Sequence, residues 1–314
     1  GACGAHHVTL GRLKEILAGD VGRRFVIGVP YAWLLAFFVV PFLIVFKISF
    51  SEVRFSMPPY APLFELTDDG THWRAIFNLG NYHYLVTDSL YIATFAYSIK
   101  VAAVSTLICL AIGYPMAYAI ARARESTRNL LLMLIVLPFW TSFLLRVYAW
   151  VGLLQNDGVI NNVLLAVGLI DQPLTLLYTD FAVYVGIVYS YLPFMILPLY
   201  SNLEKHDLTL LEAAADLGAR PMTAFLRITL PLSIPGIVAG CLLVFIPAVG
   251  EYVIPSLLGR SDQLMIGRVL SDEFFANRDW PVASAVAIVL LVGLLLPILV
   301  FQRYQNREIE AARR

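Results

Sequence analysis

The chain has 314 residues and no net charge, with 59% hydrophobic and only 14% charged positions. A soluble globular domain carries roughly 25% charged residues, so this chain has too little polar surface to cover itself in water. Its charge balance provides no bulk attraction to nucleic acid.

The apolar residues are concentrated in recurring runs of about 20, the length a helix needs to cross a bilayer core of about 30 Å. In lipid only helices and closed barrels satisfy every backbone group. These runs are continuous and lack the alternation of barrel strands. The expected fold class is therefore all-α, a polytopic membrane protein with six transmembrane helices.

In chain order, residues 1–24 form an N-terminal segment, and the first span covers Phe25–Phe46 within residues 25–50. That run is too long and starts too late for a cleavable signal peptide. A loop over 51–90 follows. The second span is Val101–Ala121, or begins near Tyr91 with Lys100 snorkelling, and the third is Leu130–Leu154. Val163–Ile170 is too short to span and reads as an interfacial helix. The fourth span is Phe181–Leu199, the fifth Ile234–Leu258 and the sixth Pro281–Phe301, so 91–302 holds five helices and 303–314 is a tail.

Lysine and arginine favour the cytoplasmic side of membrane helices. With the N-terminus inside, the inner segments collect fourteen of these residues, among them Arg12, Lys14, Arg23, Arg24, Arg124, Arg220 and Arg307. The outer ones hold Arg54, Arg74, Arg260, Arg268 and Arg278. Both termini are thus expected in the cytoplasm. Acids such as Asp68, Asp69, Asp262, Asp272 and Glu273 gather outside, as a solvated face or one that meets a basic or cationic partner.

The segment Ser201–Pro231 is not a plain tether. Thr209 and Glu212 have capping-box spacing, and Asp207 is an alternative N-cap. Gly218 suits the left-handed residue that ends a helix, and Pro221 the first turn of a second. Leu208, Leu211 and Ala215 recur at helical spacing and can offer an apolar face to a partner groove.

Glu212-Ala213-Ala214, then Gly218, then Ile228, Leu230 and Pro231 resemble the EAA loop of ABC importer permeases. The resemblance extends over nearly the whole chain, most closely to the putrescine-type permease of polyamine importers. It is carried by Pro41–Lys47, Gly113-Tyr114-Pro115, Trp140–Phe143, Phe245–Glu251 and Asn277–Ser284. It implies a type I importer permease of the bacterial inner membrane. The EAA loop then docks on an ATP-binding subunit dimer, beside a second homologous permease and a periplasmic polyamine-binding protein. Spermidine or another small solute is the alternative cargo.

The residues exclude other chemistries independently. No lysine follows a glycine, so the phosphate-cradling Walker A loop is missing, and ATP hydrolysis must belong to a partner. Cys3, Cys109 and Cys241 are far apart, and the His6–His7 pair has no further ligands, so neither metal nor cofactor is expected. No histidine falls in a span, which removes a nucleophile–base pair. An ion-coupled secondary transporter would require midplane broken helices, often in inverted repeats; no repeat is evident.

Charges inside spans are costly and mark functional positions. Arg146 and Glu251 sit at matching depths, either as a mutual ion pair or with Glu251 meeting a substrate ammonium. Pro247, Gly250 and Pro255 around Glu251 suggest a broken helix. Tyr148 and Trp140, taken to share the third span with Arg146, are candidates for cation–π contact with a polyamine.

Overall fold

A computed structural model describes residues 25–66 and 73–312. The segment 1–24, His72, Asp68, Asp69, Arg313 and Arg314 lie outside the described residues, as does Cys3. The chain divides into two compact units, Gly1–Asn81 with Asp279–Ile288, and Tyr82–Arg278 with Val289–Arg314.

The first unit contains the first span, Phe25–Ile48, none of whose apolar window is buried within the chain. The helix carries a π-helical stretch at Leu35–Val39. The chain leaving it is pinned by Asn81, whose buried amide donates to the carbonyls of Ser49 and Ser51, each at 2.9 Å. The loop expected over 51–90 contains local structure that the sequence reading missed. A short antiparallel pair, β1 (Phe64–Leu66) and β2 (Trp73–Ala75), sets Phe64 opposite Ala75. The helix Gly80–Thr87 follows.

The second unit is a helical bundle. Its second span is Ser89–Arg122, begun by Asp88, whose side chain accepts the Leu90 N–H. Its 34 residues reach about 50 Å at 1.5 Å per residue, well beyond the hydrocarbon core. Thr94, Ser98 and Thr106 are buried along it, and each hydroxyl donates to the carbonyl four residues earlier, which satisfies polar groups without water. Lys100 is exposed.

The third span is not the continuous helix expected over Leu130–Leu154. Glu125–Trp140 and Phe143–Ala166 meet at 91°. The cause is local: Leu137–Trp140 tightens into a 3-10 turn around Pro138. The Thr141 hydroxyl and N–H then both donate to the Pro138 carbonyl. The short helix after it is Val159–Ala166 rather than Val163–Ile170, because Gly168 turns left-handed at φ +74° and closes its end.

The fourth span is Asp180–Leu203, capped by the Thr179 side chain on the Ala182 N–H. The fifth also departs from expectation. Pro221–Leu232 meets Ile234–Val249 at 62°, around the fully buried Ser233. Pro231 and Pro235 flank the bend and supply no N–H. The helix stops at Val249, and Val253–Leu258 is separate. The sixth span, Trp280–Leu299, lies within a helix that continues to Ala312. Among the described residues four helices are thus individually long enough to cross, and up to six spans result when each bent pair counts as one.

Spans two, four and five pack together around Cys109, Ala117, Met195, Ile196, Leu199 and Val244. Met195 is fully buried between two glycines on different helices. A Cβ on Gly113 would come within 2.9 Å of Met195 Cγ, and one on Gly240 within 2.7 Å of Met195 Sδ. Small residues let membrane helices approach closely where lipid supplies no hydrophobic drive, and here they seat a methionine from the fourth span.

Candidate functional site

The loop between the fourth and fifth spans folds into a helix at Thr209–Asp216 and a second helix from Pro221. The expected capping box is not formed, since Leu208 occupies the N-cap and no side chain caps the helix. Asp207 instead accepts the Thr209 N–H at 3.0 Å. The start already lies in a turn leaving the fourth span, which takes Thr209 past the cap position.

The other end follows the sequence closely. Gly218 has φ +77°. Ala219 N–H donates to Ala214 O and Gly218 N–H to Ala215 O, each at 2.9 Å, the paired bonds of a Schellman motif. Arg220 is extended, as the residue before a proline prefers, and Pro221 opens the next helix. Glu212 and Ala213 are exposed, Ala214, Ile228 and Leu230 half-buried, and Pro231 exposed.

The apolar face is divided differently from expectation. Leu211 and Ala215 line a cavity of about 220 Å³ with Tyr118, Ala219, Pro221, Ala224, Phe225 and Thr229. The large apolar side chains left open around the loop are Leu208, Leu210, Leu217, Met222 and Leu226, with Leu217 88% exposed. Helical spacing located the stripe but not the direction it faces.

Arg128 at the head of the third span pairs with Glu204 at 2.8 Å. His206 Nε2 lies 3.2 Å from the Leu232 carbonyl. Both contacts tie the root of the loop to its neighbours.

The second candidate region is the interruption after Val249. Glu251 is only 7% exposed. Its Oε1 accepts the N–H groups of Tyr252, Val253 and Ile254 at 3.2, 3.0 and 3.3 Å. Tyr191, on the fourth span, donates its hydroxyl to Oε2. The carboxylate therefore caps Val253–Leu258, occupying the place where free N–H groups and the helix dipole favour an anion. Proline and glycine at 247, 250 and 255 do coincide with a break in the helix.

Glu251 and Arg146 form no ion pair among the described residues, which removes the first of the two alternatives for Glu251. Arg146 instead lies over Phe139 and Phe143, at 5.3 and 5.7 Å from the ring centroids, with its buried Nε without a hydrogen-bond partner. Matching depth did not imply adjacency, because the third span bends between Trp140 and Phe143. Trp140 accordingly lies on the far side of that bend from Arg146 and Tyr148. Trp140 is 77% and Tyr148 56% exposed.

Gly267 and Ser98 were not singled out in the sequence, and Tyr191 was read only as one of several aromatics near the outer half of the spans. Tyr191 holds Glu251. Gly267 passes so close that a Cβ there would overlap the Gly250 and Glu251 carbonyl oxygens. Ser98 accepts the Ile266 N–H at 2.7 Å and anchors that passing segment. Nearby, Tyr91 and Tyr97 donate to Glu273 and Asp180 at 2.8 and 3.0 Å. Arg260 grips Asp262 through two nitrogens, at 2.9 and 2.6 Å, and those hydrogen bonds hold the Asp262 carboxyl below its ordinary range. Among the described residues no three His, Cys, Asp or Glu side chains converge as metal ligands.

A helical bundle with two broken spans and a structured loop between spans four and five is the architecture of an importer's membrane subunit. The chain belongs to the family of binding-protein-dependent transport system inner membrane components, whose match covers residues 110–310. It is 40% identical to the spermidine/putrescine transport system permease protein PotB of Haemophilus influenzae, over 92% of this chain and 96% of that protein. The Escherichia coli K12 protein of the same description is also 40% identical, over 88% and 97%. A bacterial ABC transporter involved in alginate import shares the fold, with a TM-score of 0.67 at 17% identity over 93% and 98% of the two chains. The chain is a multi-pass membrane permease, a component of a transport system.

Proposed function

We propose that this chain is the membrane-spanning permease subunit of an ATP-driven importer, and that its cargo is a polyamine, putrescine first. The observation that carries the reading is the loop helix Thr209–Asp216 with its glycine elbow, which holds Glu212 and Ala213 in solvent on a rigid protrusion. In this reading an ATP-binding subunit dimer docks there, and Gly218, Ile228, Leu230 and Pro231 fix the protrusion to the fifth span. A second homologous permease completes the path, and a periplasmic binding protein delivers the polyamine. The charge asymmetry supports cytoplasmic termini and places the loop on the same side.

The descriptions of the relatives support a polyamine cargo and name both spermidine and putrescine. Trp140 and Tyr148 are open on the surface of this chain, which suits a path closed by another subunit, and aromatic faces attract ammonium groups. Arg146 and Glu251 border that path in the proposal. Glu251 already accepts three donors on Oε1 and one on Oε2, so an incoming ammonium would approach Oε2, beside Tyr191 or in its place. Competition between labelled putrescine and unlabelled spermidine for uptake by the assembled importer tests the cargo. Preferential displacement by putrescine is expected; indifference to both polyamines would refute the assignment.

A further inference from the structure

The loop must move more than the span it is covalently joined to if ATP is to open and close a bundle. The structure contains a second attachment. Phe225 opens a π-helical stretch, Phe225–Thr229, at the entrance to the fifth span. Its ring stands edge-on to Tyr114 and Tyr118 of the second span, with centroids at 5.7 and 6.2 Å and interplanar angles of 87° and 86°. Tyr114 and Tyr118 are four residues apart and so share one helix face. Edge-to-face geometry is the preferred arrangement of such rings.

Two further contacts make this a joint. The Tyr114 hydroxyl lies 3.0 Å from Ser233 Oγ, and Ser233 is the fully buried residue at the 62° bend. Tyr114 thus holds the inner half of the fifth span at its start, through Phe225, and at its hinge. The Arg122 guanidinium lies over the Tyr118 ring, 5.3 Å from its centroid. Between this cluster and the loop helix lies the 220 Å³ cavity, lined by Leu211 and Ala215 on one wall and Tyr118 and Phe225 on the other. The loop helix therefore has room to shift against the aromatic cluster, and π-helical turns are frequent at functional positions of helices.

We propose that Phe225 is a positioning residue that transmits movement of the loop to the second span through Tyr114 and Tyr118. This rests on the reading of the loop as the docking site of an ATP-binding subunit. Displacement of the loop swings the short Pro221 helix, and the Phe225 ring drives the tyrosine face, while the bond at Ser233 fixes the pivot. The second span then responds along its whole length, up to Tyr91 and Tyr97, whose hydroxyls hold Glu273 and Asp180.

The test uses the complete importer in proteoliposomes with its binding protein. Phe225→Ala is expected to lower polyamine uptake and binding-protein-stimulated ATP hydrolysis by roughly tenfold or more, within the range of coupling effects between sites. Basal hydrolysis, subunit assembly and cross-linking of a reporter Asp216→Cys, exposed on the loop helix, to the ATP-binding subunit remain, and Phe225→Tyr restores uptake. A merely structural residue would lower assembly and basal hydrolysis together. Should Phe225→Ala fail to assemble, Phe225→Leu decides by the same readings, since it keeps bulk and loses the ring. Wild-type uptake with the cross-link intact overturns the joint and leaves the loop reading standing. Absence of the cross-link in the otherwise native chain overturns the loop reading, and the joint with it.

Discussion

Replacing Glu251 by alanine removes the acceptor of four donors at once, the Tyr191 hydroxyl and three backbone N–H groups. A helix cap is worth about 1 kcal/mol. A buried donor left without a partner costs about 1–3 kcal/mol. With water reaching part of the opened space, Glu251→Ala should destabilise the subunit by on the order of 3–5 kcal/mol, a large fraction of a typical folding free energy. Glu251→Gln is a gentler perturbation. Its carbonyl oxygen can still cap the helix, and its amide can donate to the Tyr191 oxygen, so the loss should be about 1 kcal/mol, the difference between charge-assisted and neutral bonds. Thermal unfolding of the detergent-solubilised complex measures both. Adding Arg146→Gln to Glu251→Gln should give additive losses, with a coupling below about 0.5 kcal/mol, as expected for residues that share no contact. An alanine variant as stable as the native protein, or a large coupling between Glu251 and Arg146, would refute the capping arrangement. Uptake separates the remaining question. Loss of transport in a stable Glu251→Gln variant supports a place on the substrate path, and native transport confines Glu251 to holding the break.

Gly218→Val forces a β-branched side chain to φ +77°; the bundle should insert normally while uptake and its coupling to ATP hydrolysis are lost, read by comparing assembly with transport. Gly240→Leu drives a large side chain against Met195 where even a Cβ stands 2.7 Å from the sulfur; overpacking of about 1–3 kcal/mol or more should appear as a lower unfolding temperature, whereas Gly152→Ala, with no atom within 4 Å of the new Cβ, should be neutral. Cysteines placed at 212 and 307 should resist an impermeant thiol reagent in intact cells while one at 272 reacts; labelling at 212 from outside would overturn the proposed orientation.

The six apolar runs and the loop were legible because each rests on strong local signals. Membrane spans need about 20 apolar residues regardless of their neighbours, and Gly218 and Pro221 announce the elbow by backbone chemistry alone. The bends were less legible. Pro138 and Thr141 lie within a run that composition alone makes continuous, and only the 3-10 turn with its Thr141 bonds reveals the 91° corner. The partners of Glu251 were out of reach for a different reason. Its charge and the surrounding prolines and glycines pointed to a break, but the Tyr191 hydroxyl that binds it, and Gly267 packed against the backbone there, come from other segments. Ranking charges by depth favoured Arg146, and the corner in the third span removes that coincidence. Likewise, the stripe Leu208, Leu211 and Ala215 was visible, whereas its division, with Leu211 and Ala215 toward Phe225 and Tyr118 and Leu208 left open, depends on residues of other segments.

The most direct test of the whole account is labelled polyamine uptake into proteoliposomes containing this chain, its sister permease and the ATP-binding subunits, with the binding protein added on the receiving face. Accumulation should require ATP, the binding protein and the ATP-binding subunits together, and should stop when ATP is replaced by a non-hydrolysable analogue. Uptake by this chain alone, driven by an imposed ion gradient and indifferent to ATP, would contradict it.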